Sequence, residues 1–361
     1  MVRAPFPIEG RPLFLLAEGS LSASEGKTAV CLAMYRPGDV IAVLDSTRAG
    51  RRVRDVLGFG GDAPVVATID EALARGPEVA VVGTAPAGGA LDAGTRRQIA
   101  RCLEAGLDVV SGMHAFVADD RELAALAAAS GARIWDVRRV GDTGTVSTGR
   151  GCTSGAAVVL TVGSDCGVGK MTVTVELARA ARGAGWRAEW AATGQTGIIL
   201  RGRGVAVDRV VADFVGGAAE DLVNEEGRDA DVVFLEGQGS ITHPGYAGVT
   251  LALMYGAMPD ALVLVHDATR ARYKRLERAI PPLPELVALY EDLMRPWKPA
   301  RVAAVALNTS ALDPVAARHA VDAAAAGTGL PATDAVRFGC APVLSFVMRA
   351  AGRGAEPESP R

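Results

Sequence analysis

Short apolar runs alternate with longer amphipathic stretches along the first half of the chain. The apolar runs, rich in Val, lie at residues 40–45, 65–68, 79–83, 108–111 and 133–137. Between them, residues 96–105 and 121–129 place apolar side chains at helical spacing. Strands that alternate with helices predict a parallel, doubly wound sheet. We therefore expect an α/β domain of the Rossmann-like type.

The same alternation resumes in the second half after a polar interruption. Residues 141–154 are rich in Gly and Thr, lack periodicity and predict a linker. Apolar strands are then predicted at residues 156–162, 188–192, 231–235, 261–266 and 302–307. We predict a Rossmann-like domain over residues 1–145 and a P-loop NTPase-like domain over residues 152–352, each with a parallel sheet. The polar residues 353–361 are predicted to form a disordered tail.

The composition narrows the class of protein. Hydrophobic residues make up 49% of the chain and aromatic residues only 5%, so the cores are expected to consist of Ala, Val and Leu. The net charge of −3 argues against a nucleic-acid partner, which would need a basic surface. No apolar run reaches the roughly 18 residues of a membrane span and no signal peptide is visible, so we expect a cytoplasmic protein without a membrane partner.

Cysteine and small-residue usage add two further expectations. The five cysteines are scattered and form no CxxC pair, which predicts neither a disulfide framework nor a zinc site. Helices rich in Ala and Gly allow close packing between subunits. We therefore expect a homo-oligomer, either a dimer or a tetramer.

The most specific motif is VGSDCGVGKMT, at residues 162–172. It follows an apolar strand and precedes a predicted helix at residues 172–181, which is the context that a phosphate-binding loop requires. Its glycines allow several backbone N–H groups to face one phosphate, and its lysine adds a full positive charge. The predicted cofactor-binding residues are Gly163, Ser164, Asp165, Cys166, Gly167, Val168, Gly169, Lys170, Met171 and Thr172.

Two features of this loop differ from the commonest phosphate-binding sequence. Gly163 lies one residue too early, since Ser164 occupies the expected glycine position. Met171 follows the lysine, where a Ser or Thr hydroxyl normally binds Mg²⁺, and Thr172 comes next. The loop is therefore predicted to hold either Mg-ATP or the phosphates of another cofactor. A second GKT sequence, at residues 26–28, lacks the earlier glycine and is interpreted as a turn before a helix.

Two polar residues follow the predicted strand at residues 231–235. Glu236 lies at its carboxyl end, where ligands bind in open α/β sheets, and could hold Mg²⁺, act as a general base or cap a following helix. His243 comes shortly after it, as a second candidate base or as a structural residue of a turn.

Further polar residues flank other strands of the second half. The flexible TGQTG at residues 193–197 follows a strand, and Asp208 and Asp213 open the next helical segment, with Glu220 two turns later. These carboxylates are interpreted either as metal or base candidates or as solvated helix residues. In the first half, GTAPAGG at residues 83–89 follows a strand but is not a dinucleotide fingerprint.

Several motifs in matching order make the sequence resemble a known family. They are LDSTRAG, GTAPAGG, GLDVVSGMHAF and IWDVR in the first half, and GSDCGVGKMT, ATGQTG, VDRVVADFVGGAAE, EGQGSITHPGY and ALNTSALD in the second. The family consists of two-domain P-loop proteins long catalogued as a domain of unknown function. Its characterised activity is N-acetylation of D-glutamate or D-amino acids from acetyl-CoA. Its pattern includes the Lys-Met-Thr step, so Met171 is ordinary within it.

The second half is also similar to ATP-dependent ligases of the dethiobiotin synthetase type. The similarity lies in the phosphate loop and in the Glu-Gly of EGQG. It implies that Mg²⁺, if ATP is bound, would be held by Thr172, by Asp208 or Asp213, and by Glu236. Met171 departs from the ligase pattern at the hydroxyl position.

The resemblance favours an N-acyltransferase that moves an acetyl group from acetyl-CoA to the amino group of an acidic amino acid. Glu236 or His243 is the expected base, with Asp213 a weaker candidate. The expected substrate-binding residues are the hydrogen-bond donors Gln195, Thr196, Gln238 and Ser240, and an arginine, Arg138 or Arg337. The alternatives are an ATP- and Mg-dependent ligase or kinase, and a nucleotide-binding regulatory module without chemistry.

Overall fold

The computed structural model describes residues 1–22, 26–84, 91–141 and 144–354. The strands are β1 Val2–Arg3, β2 Leu13–Leu16, β3 Val40–Leu44, β4 Val65–Val66, β5 Val79–Val82, β6 Asp108–Ser111, β7 Ile134–Asp136, β8 Ala157–Gly163, β9 Ala188–Ala191, β10 Arg203–Gly204, β11 Val232–Leu235, β12 Ala261–Asp267, β13 Arg301–Asn308 and β14 Ala332–Thr333. The α-helices are α1 Lys27–Tyr35, α2 Val53–Leu57, α3 Ile69–Leu73, α4 Ala93–Glu104, α5 Arg121–Ser130, α6 Lys170–Gly183, α7 Gln195–Arg201, α8 Val215–Glu226, α9 Ala247–Ala257, α10 Leu283–Met294, α11 Pro314–Thr328 and α12 Ala341–Ala350. Short 3₁₀ turns lie at Ser46–Arg48, Val117–Asp119, Val207–Arg209 and Ala212–Phe214.

The chain forms two compact units that do not follow the order of the sequence. The first unit contains Val2–Gly141 together with Gln195–Ala206, and the second contains Met1, Asp142–Gly194 and Val207–Arg361. The segment Gln195–Ala206 therefore lies in the second half of the sequence but belongs to the first unit. The sequence-predicted bounds, 1–145 and 152–352, instead place this segment in the second domain.

A six-stranded parallel sheet forms the first unit, in the order β4-β3-β2-β5-β6-β7. Counted from β2, this is the 3-2-1-4-5-6 order of a Rossmann sheet. Phe14 and Leu16 of β2 are buried in its core with Ile99 of α4. The Rossmann-like prediction is thus confirmed, although β2 is not among the predicted strands.

The segment Gln195–Ala206 completes the first unit through two sets of contacts. Its strand β10 pairs antiparallel with β1, and its helix α7 packs with α1. The buried hydroxyls of Thr28 on α1 and Thr196 on α7 lie 2.9 Å apart. Gly112, after β6, approaches α7 so closely that a Cβ there would lie 2.8 Å from the Cγ of Gln195.

Asp45 lies at the end of β3, where an acidic residue binds the ribose in dinucleotide-binding sheets of this order. Its carboxylate is fully buried and accepts hydrogen bonds from the backbone N–H groups of Gly19, Leu21 and Thr47. The carboxylate is thereby used to hold the loop that follows β2.

The second unit contains another six-stranded parallel sheet, in the order β14-β13-β12-β8-β11-β9. Every residue of its central strand β8 is buried. Because the strands are parallel, the loops after β8, β9, β11, β12 and β13 all leave from one edge of the sheet. This is the edge at which the sequence-predicted site residues of the second half follow their strands.

Several sequence expectations concern the connections. Over its described part, residues 141 and 144–154, the predicted linker contains no helix or strand, and the side chains of Ser147 and Thr148 bind Glu220 of α8. Most of GTAPAGG and most of the predicted tail, at residues 85–89 and 355–361, lie outside the described residues. Among the residues that the structure describes, no helix is both long and apolar enough to cross a membrane.

Candidate active site

The phosphate loop connects β8 to α6, and its backbone requires glycine at two positions. Gly167 has a φ of 65° and Gly169 a φ of 108°, both in the left-handed region that favours glycine. Helix α6 begins at Lys170, and no side chain of the described residues caps its first turn. The N–H groups of that turn have no partner within the helix. They are therefore available, together with the positive end of the helix dipole, to an anion in the loop.

Lys170 lies across this loop. Its buried Nζ donates to the carbonyl oxygen of Asp165 at 2.9 Å and to that of Gly239 at 2.7 Å. A Cβ at Gly163 would lie only 2.7 Å from this Nζ, so the absence of a side chain there makes room for the ammonium. The positive charge is thus held between the phosphate loop and the loop that follows β11.

Asp165 stabilises the loop through hydrogen bonds to its carboxylate. One oxygen of its fully buried carboxylate accepts from the backbone N–H of Cys166 at 2.6 Å. The other accepts from Arg270 Nη1 at 3.1 Å and from the backbone N–H of Lys274 at 2.7 Å. Arg270 also donates to the Cys166 carbonyl and pairs with Asp267. The segment after β12 is therefore fastened to the phosphate loop by charged hydrogen bonds.

Neighbouring strands and helices hold the first residues of the loop in the same way. The hydroxyl of Ser164 lies 2.8 Å from Nδ1 of His266, at the end of β12. Burial lowers the pKa of His266, which favours the neutral imidazole. The Tyr290 hydroxyl donates to the Gly163 carbonyl at 2.8 Å, and Ser240 Oγ donates to the Ser164 carbonyl at 3.1 Å.

Glu236 follows β11, the strand next to β8. Its Oε2 accepts from the backbone N–H groups of Thr193 and Gly194, at 3.0 and 3.2 Å, and its Oε1 accepts from Gln238 Nε2 at 3.0 Å. Burial raises the pKa of this carboxyl to about 7, although these hydrogen bonds and the charge of Lys170 act in the opposite direction. The group therefore changes charge near neutral pH.

The turn after β11 approaches β8 very closely. A Cβ at Gly237 would lie 1.7 Å from the carbonyl oxygen of Thr161, and the Gly237 N–H donates to the Thr161 hydroxyl at 3.0 Å. The same hydroxyl lies 2.9 Å from that of Thr174 on α6. Close packing of glycine thus ties the position of Glu236 to the strand and the helix that bear the phosphate loop.

His243 has the surroundings of a structural residue. Its ring stacks on Tyr246, with centroids 4.5 Å apart, and meets the edge of Tyr273 at 5.7 Å. Its Nδ1 accepts from the backbone N–H of Gly245 at 3.1 Å, so Nε2 is the ring nitrogen that can donate a hydrogen bond. These contacts fit the turn-histidine interpretation, and a catalytic role of His243 stays a prediction.

The three carboxylates around α8 differ in exposure. Asp208 and Asp213 are exposed in 3₁₀ turns that precede the helix. Glu220 is buried, so its interpretation as a solvated helix residue is wrong: it accepts from Ser147 Oγ at 2.8 Å and from the Thr148 N–H at 2.7 Å. Burial alone would raise the pKa of Glu220, but these hydrogen bonds bring it below its usual value.

If Mg-ATP is bound, the predicted metal ligands are Thr172, Asp208 and Glu236. Within residues 1–22, 26–84, 91–141 and 144–354, no three His, Cys, Asp or Glu side chains come together as a metal site. Glu236 accepts three hydrogen bonds, whereas Asp208 is exposed. The metal assignment stays a prediction.

The predicted substrate-binding residues lie in both units. Gln238 and Ser240 belong to the second unit, where Gln238 Nε2 also donates to Thr193 Oγ1 at 3.0 Å. Gln195 and Thr196 belong to the first unit, as does Arg138, a buried residue whose Nε donates to the Gly112 carbonyl at 2.7 Å.

Arg337, the other candidate arginine, belongs to the second unit. Its Nη2 donates to the carbonyls of Thr309 and Leu312, at 3.3 and 2.9 Å. No contact of the described chain tests a role of either arginine in substrate binding.

Three residues that contact the phosphate loop but lie far from it in sequence were not predicted, namely Arg270, His266 and Tyr290. The basic sequence ATRARYKRLER, at residues 268–278, could have indicated Arg270 as a candidate. For His266 and Tyr290, no local motif indicated the contact.

Comparison with known proteins decides the family. Residues 145–344 match the P-loop domain described as "Domain of unknown function (DUF1611_C)", and residues 46–140 match its Rossmann-like counterpart, DUF1611_N. The chain belongs to the DUF1611 family. A crystal structure of a DUF1611 family protein from Anabaena variabilis is similar, with a TM-score of 0.90 and 39% identity over 94% of this chain and 100% of that one.

Two curated relatives of this DUF1611 chain carry the name D-glutamate N-acetyltransferase. The protein from Tritonibacter scottomollicae is 36% identical over 281 residues, which cover 75% of this chain and 81% of the relative. The protein from a Pseudoalteromonas species is 33% identical over 274 residues, which cover 75% and 82%. The predicted family, the fold class and the expectation of a transferase are confirmed, and the chain is related to N-acetyltransferases in general.

Proposed function

We propose that this DUF1611 protein transfers the acetyl group of acetyl-CoA to the amino group of an acidic D-amino acid, with D-glutamate as the first substrate to test. One observation carries the proposal. Glu236, a buried carboxyl whose pKa lies near 7, follows the strand next to the phosphate loop. The names of the two curated relatives supply the reaction and the acceptor.

The phosphate loop suits the diphosphate of CoA. The first-turn N–H groups of α6 and the ammonium of Lys170 would hold that diphosphate, because both are positive and directed at the loop. Acetyl-CoA supplies an acyl group that is already activated as a thioester. This chemistry requires no hydroxyl for a magnesium ion, so Met171 at that position is compatible with the proposal.

Glu236 is assigned the role of general base. An amino acid enters as its ammonium form and must lose a proton before its nitrogen can attack. A carboxylate with a pKa near 7 is suited to accept that proton at neutral pH. The N–H groups of Thr193 and Gly194 and the amide of Gln238 keep the carboxylate in place.

The other candidate bases have weaker support. Asp213 is exposed, and Nδ1 of His243 is used in a bond to its own loop. Gln238 and Ser240 donate to Glu236 and to the phosphate loop, so we assign them positioning roles.

The test is a transfer assay on the purified full chain with acetyl-CoA and D-glutamate, L-glutamate, D-aspartate or D-alanine. Release of the CoA thiol and formation of the N-acetyl product are both measured. We expect the wild type to acetylate D-glutamate and the Glu236→Gln variant to lose this activity. The matched control is Glu226→Gln, which changes a different buried glutamate, at the end of α8, and should retain the activity. The proposal is wrong if none of the amino acids is acetylated, and the base assignment alone is wrong if Glu236→Gln keeps full activity.

A further inference from the structure

A strongly basic segment lies beside the phosphate loop, and the charges at its tip have no role in the function proposed so far. Between β12 and α10 the chain reads TRARYKRLERAI, residues 269–280, with five basic side chains and one acidic one. We call these residues the basic hairpin. Its charge contrasts with the net charge of −3 for the whole chain.

Backbone hydrogen bonds give the basic hairpin a defined shape. The Ile280 N–H donates to the Ala271 carbonyl and the Tyr273 N–H to the Arg278 carbonyl, each at 3.0 Å. Its tip contains Arg275, with a φ of 67° that is uncommon for a residue other than glycine. Such backbone strain concentrates at functional sites.

The basic hairpin is fixed to the phosphate loop at two points. The backbone N–H of Lys274, at the tip, donates to Asp165 Oδ2 at 2.7 Å. At its base, Arg270 Nη1 donates to the Cys166 carbonyl at 2.7 Å. The buried Tyr273 anchors the middle of the hairpin against the ring of His243. The hairpin therefore stands at the rim of the phosphate loop.

The charges at the base and at the tip of the hairpin are used differently. Arg270 is paired with Asp165 and Asp267, and Arg272 is paired with Glu277. Throughout the described part of the chain, no ion pair joins a carboxylate to Lys274, Arg275 or Arg278. Arg275 and Arg278 are exposed and Lys274 is half-buried. The tip of the hairpin thus presents uncompensated positive charge next to an anion-binding loop.

We propose that the basic hairpin binds the 3′-phosphate of CoA, with Lys274 and Arg275 as the specificity-determining residues. The inference rests on the proposed function, in which acetyl-CoA is the donor. CoA carries two separate anionic groups, a diphosphate and a phosphate on the 3′ position of the ribose. The phosphate loop with Lys170 has the charge and the N–H groups for the first, and the hairpin tip has the charge for the second. ATP, whose phosphates form one chain, has no group in the second position.

The experiment is isothermal titration of the full chain with CoA and with 3′-dephospho-CoA. The test variant is Lys274→Ala combined with Arg275→Asn, since Asn tolerates a positive φ while removing the charge. Arg301→Ala is the control, because it removes one charge from an exposed side chain at the start of β13, on the opposite edge of the sheet. Thermal melting of both variants verifies that they are folded.

We expect the wild type and the control to bind CoA at least about tenfold more tightly than 3′-dephospho-CoA, as lost charged hydrogen bonds would imply. The double variant should bind the two equally, with unchanged affinity for 3′-dephospho-CoA. Equal binding of both by the wild type, an equal loss for both in the folded variant, or no binding of CoA would overturn the inference. So would a variant that loses affinity for Mg-ATP but not for CoA.

The transfer assay separates this inference from the proposed function. A wild type that distinguishes the two CoA forms but acetylates no amino acid would sustain the 3′-phosphate site and refute the proposed reaction. A wild type that acetylates D-glutamate with the same KM for acetyl-CoA and acetyl-3′-dephospho-CoA would do the reverse.

Discussion

At the residue scale, Glu236 is the side chain on which opposing effects meet. Burial favours its neutral form, whereas three hydrogen-bond donors and the charge of Lys170 favour the carboxylate. Burial has the larger effect, so the pKa is raised to about 7. A group in this position can lose and regain a proton during each turnover at neutral pH.

The first prediction concerns the pH dependence of the reaction. Since the base must be ionised in the free enzyme, kcat/KM should fall as the pH is lowered through about 7. The Glu236→Gln variant should lose roughly 100-fold or more in kcat and show no such decrease. The profile of kcat/KM is measured from pH 3.5 to pH 9, at D-glutamate concentrations below saturation. A decrease centred near pH 4.5 would mean that the base is an ordinary carboxylate.

The second prediction concerns stability. Below pH 4.5 the carboxyl is protonated in both the folded and the unfolded state, whereas above about pH 7 it is ionised in both. Between these values the unfolded state releases the proton first, so a rise in pH favours unfolding. From pH 5 to pH 8 the free energy of unfolding should fall by about 2.5 kcal/mol relative to Glu236→Gln, which does not titrate there. Urea denaturation of both proteins measures the difference, and parallel pH curves would contradict the raised pKa.

At the element scale, the turn after β11 is determined by glycine. The Gly237→Ala substitution places a Cβ where the Thr161 carbonyl already lies, and a backbone atom cannot move aside easily. We expect a loss of about 2 kcal/mol or more in the free energy of unfolding. The control is Gly248→Ala, an exposed position of α9, where the added carbon has no atom within 4 Å apart from its chain neighbours and the nearby backbone of its own helix; it should gain up to about 1 kcal/mol. Similar results for the two variants would refute the close approach.

The elements that were predictable from sequence are those with a local pattern. The apolar run at 108–111 corresponds to β6, Asp108–Ser111, and the run at 40–45 contains β3, Val40–Leu44. Strand β2, Leu13–Leu16, was missed because four apolar residues after a proline give no periodicity to distinguish a strand from a loop.

In the candidate site, too, only the residues with a local sequence pattern were predictable. The phosphate loop and Glu236 were found because each follows its strand directly in sequence. The bond from Arg270 to Asp165 joins residues 105 positions apart, and no pattern in one sequence encodes such a pairing. The buried partners of Glu220 were missed for the same reason, since Thr148 precedes it by 72 residues.

At the scale of the whole molecule, the first unit is discontinuous in sequence, because Gln195–Ala206 belongs to it. Thr196 should therefore stabilise the first unit through Thr28, although its sequence neighbours Thr193 and Gly194 bind Glu236 of the second. A double-mutant cycle with Thr28→Ala and Thr196→Ala should give a coupling of about 1 kcal/mol.

Hydrogen exchange tests where that stability is lost. In Thr196→Ala, amide protons of β2, β3 and β5 should exchange faster, while those of β8, β11 and β12 stay as in the wild type. Faster exchange confined to the second sheet would mean that the segment stabilises the other unit.

The expected dimer or tetramer stays a prediction, which sedimentation equilibrium of the wild type would test.

The discontinuous first unit also bears on how such genes evolve. A recombination crossover near codons 141–144 would join a new first half to a second half that still encodes the ancestral α7 and β10. The incoming half would then receive a helix and a strand selected against a different α1 and β1. Chimeras made at that boundary should be defective unless codons 195–206 are exchanged with them. The two halves are therefore expected to be inherited as one unit of selection, and both are present here in a single reading frame.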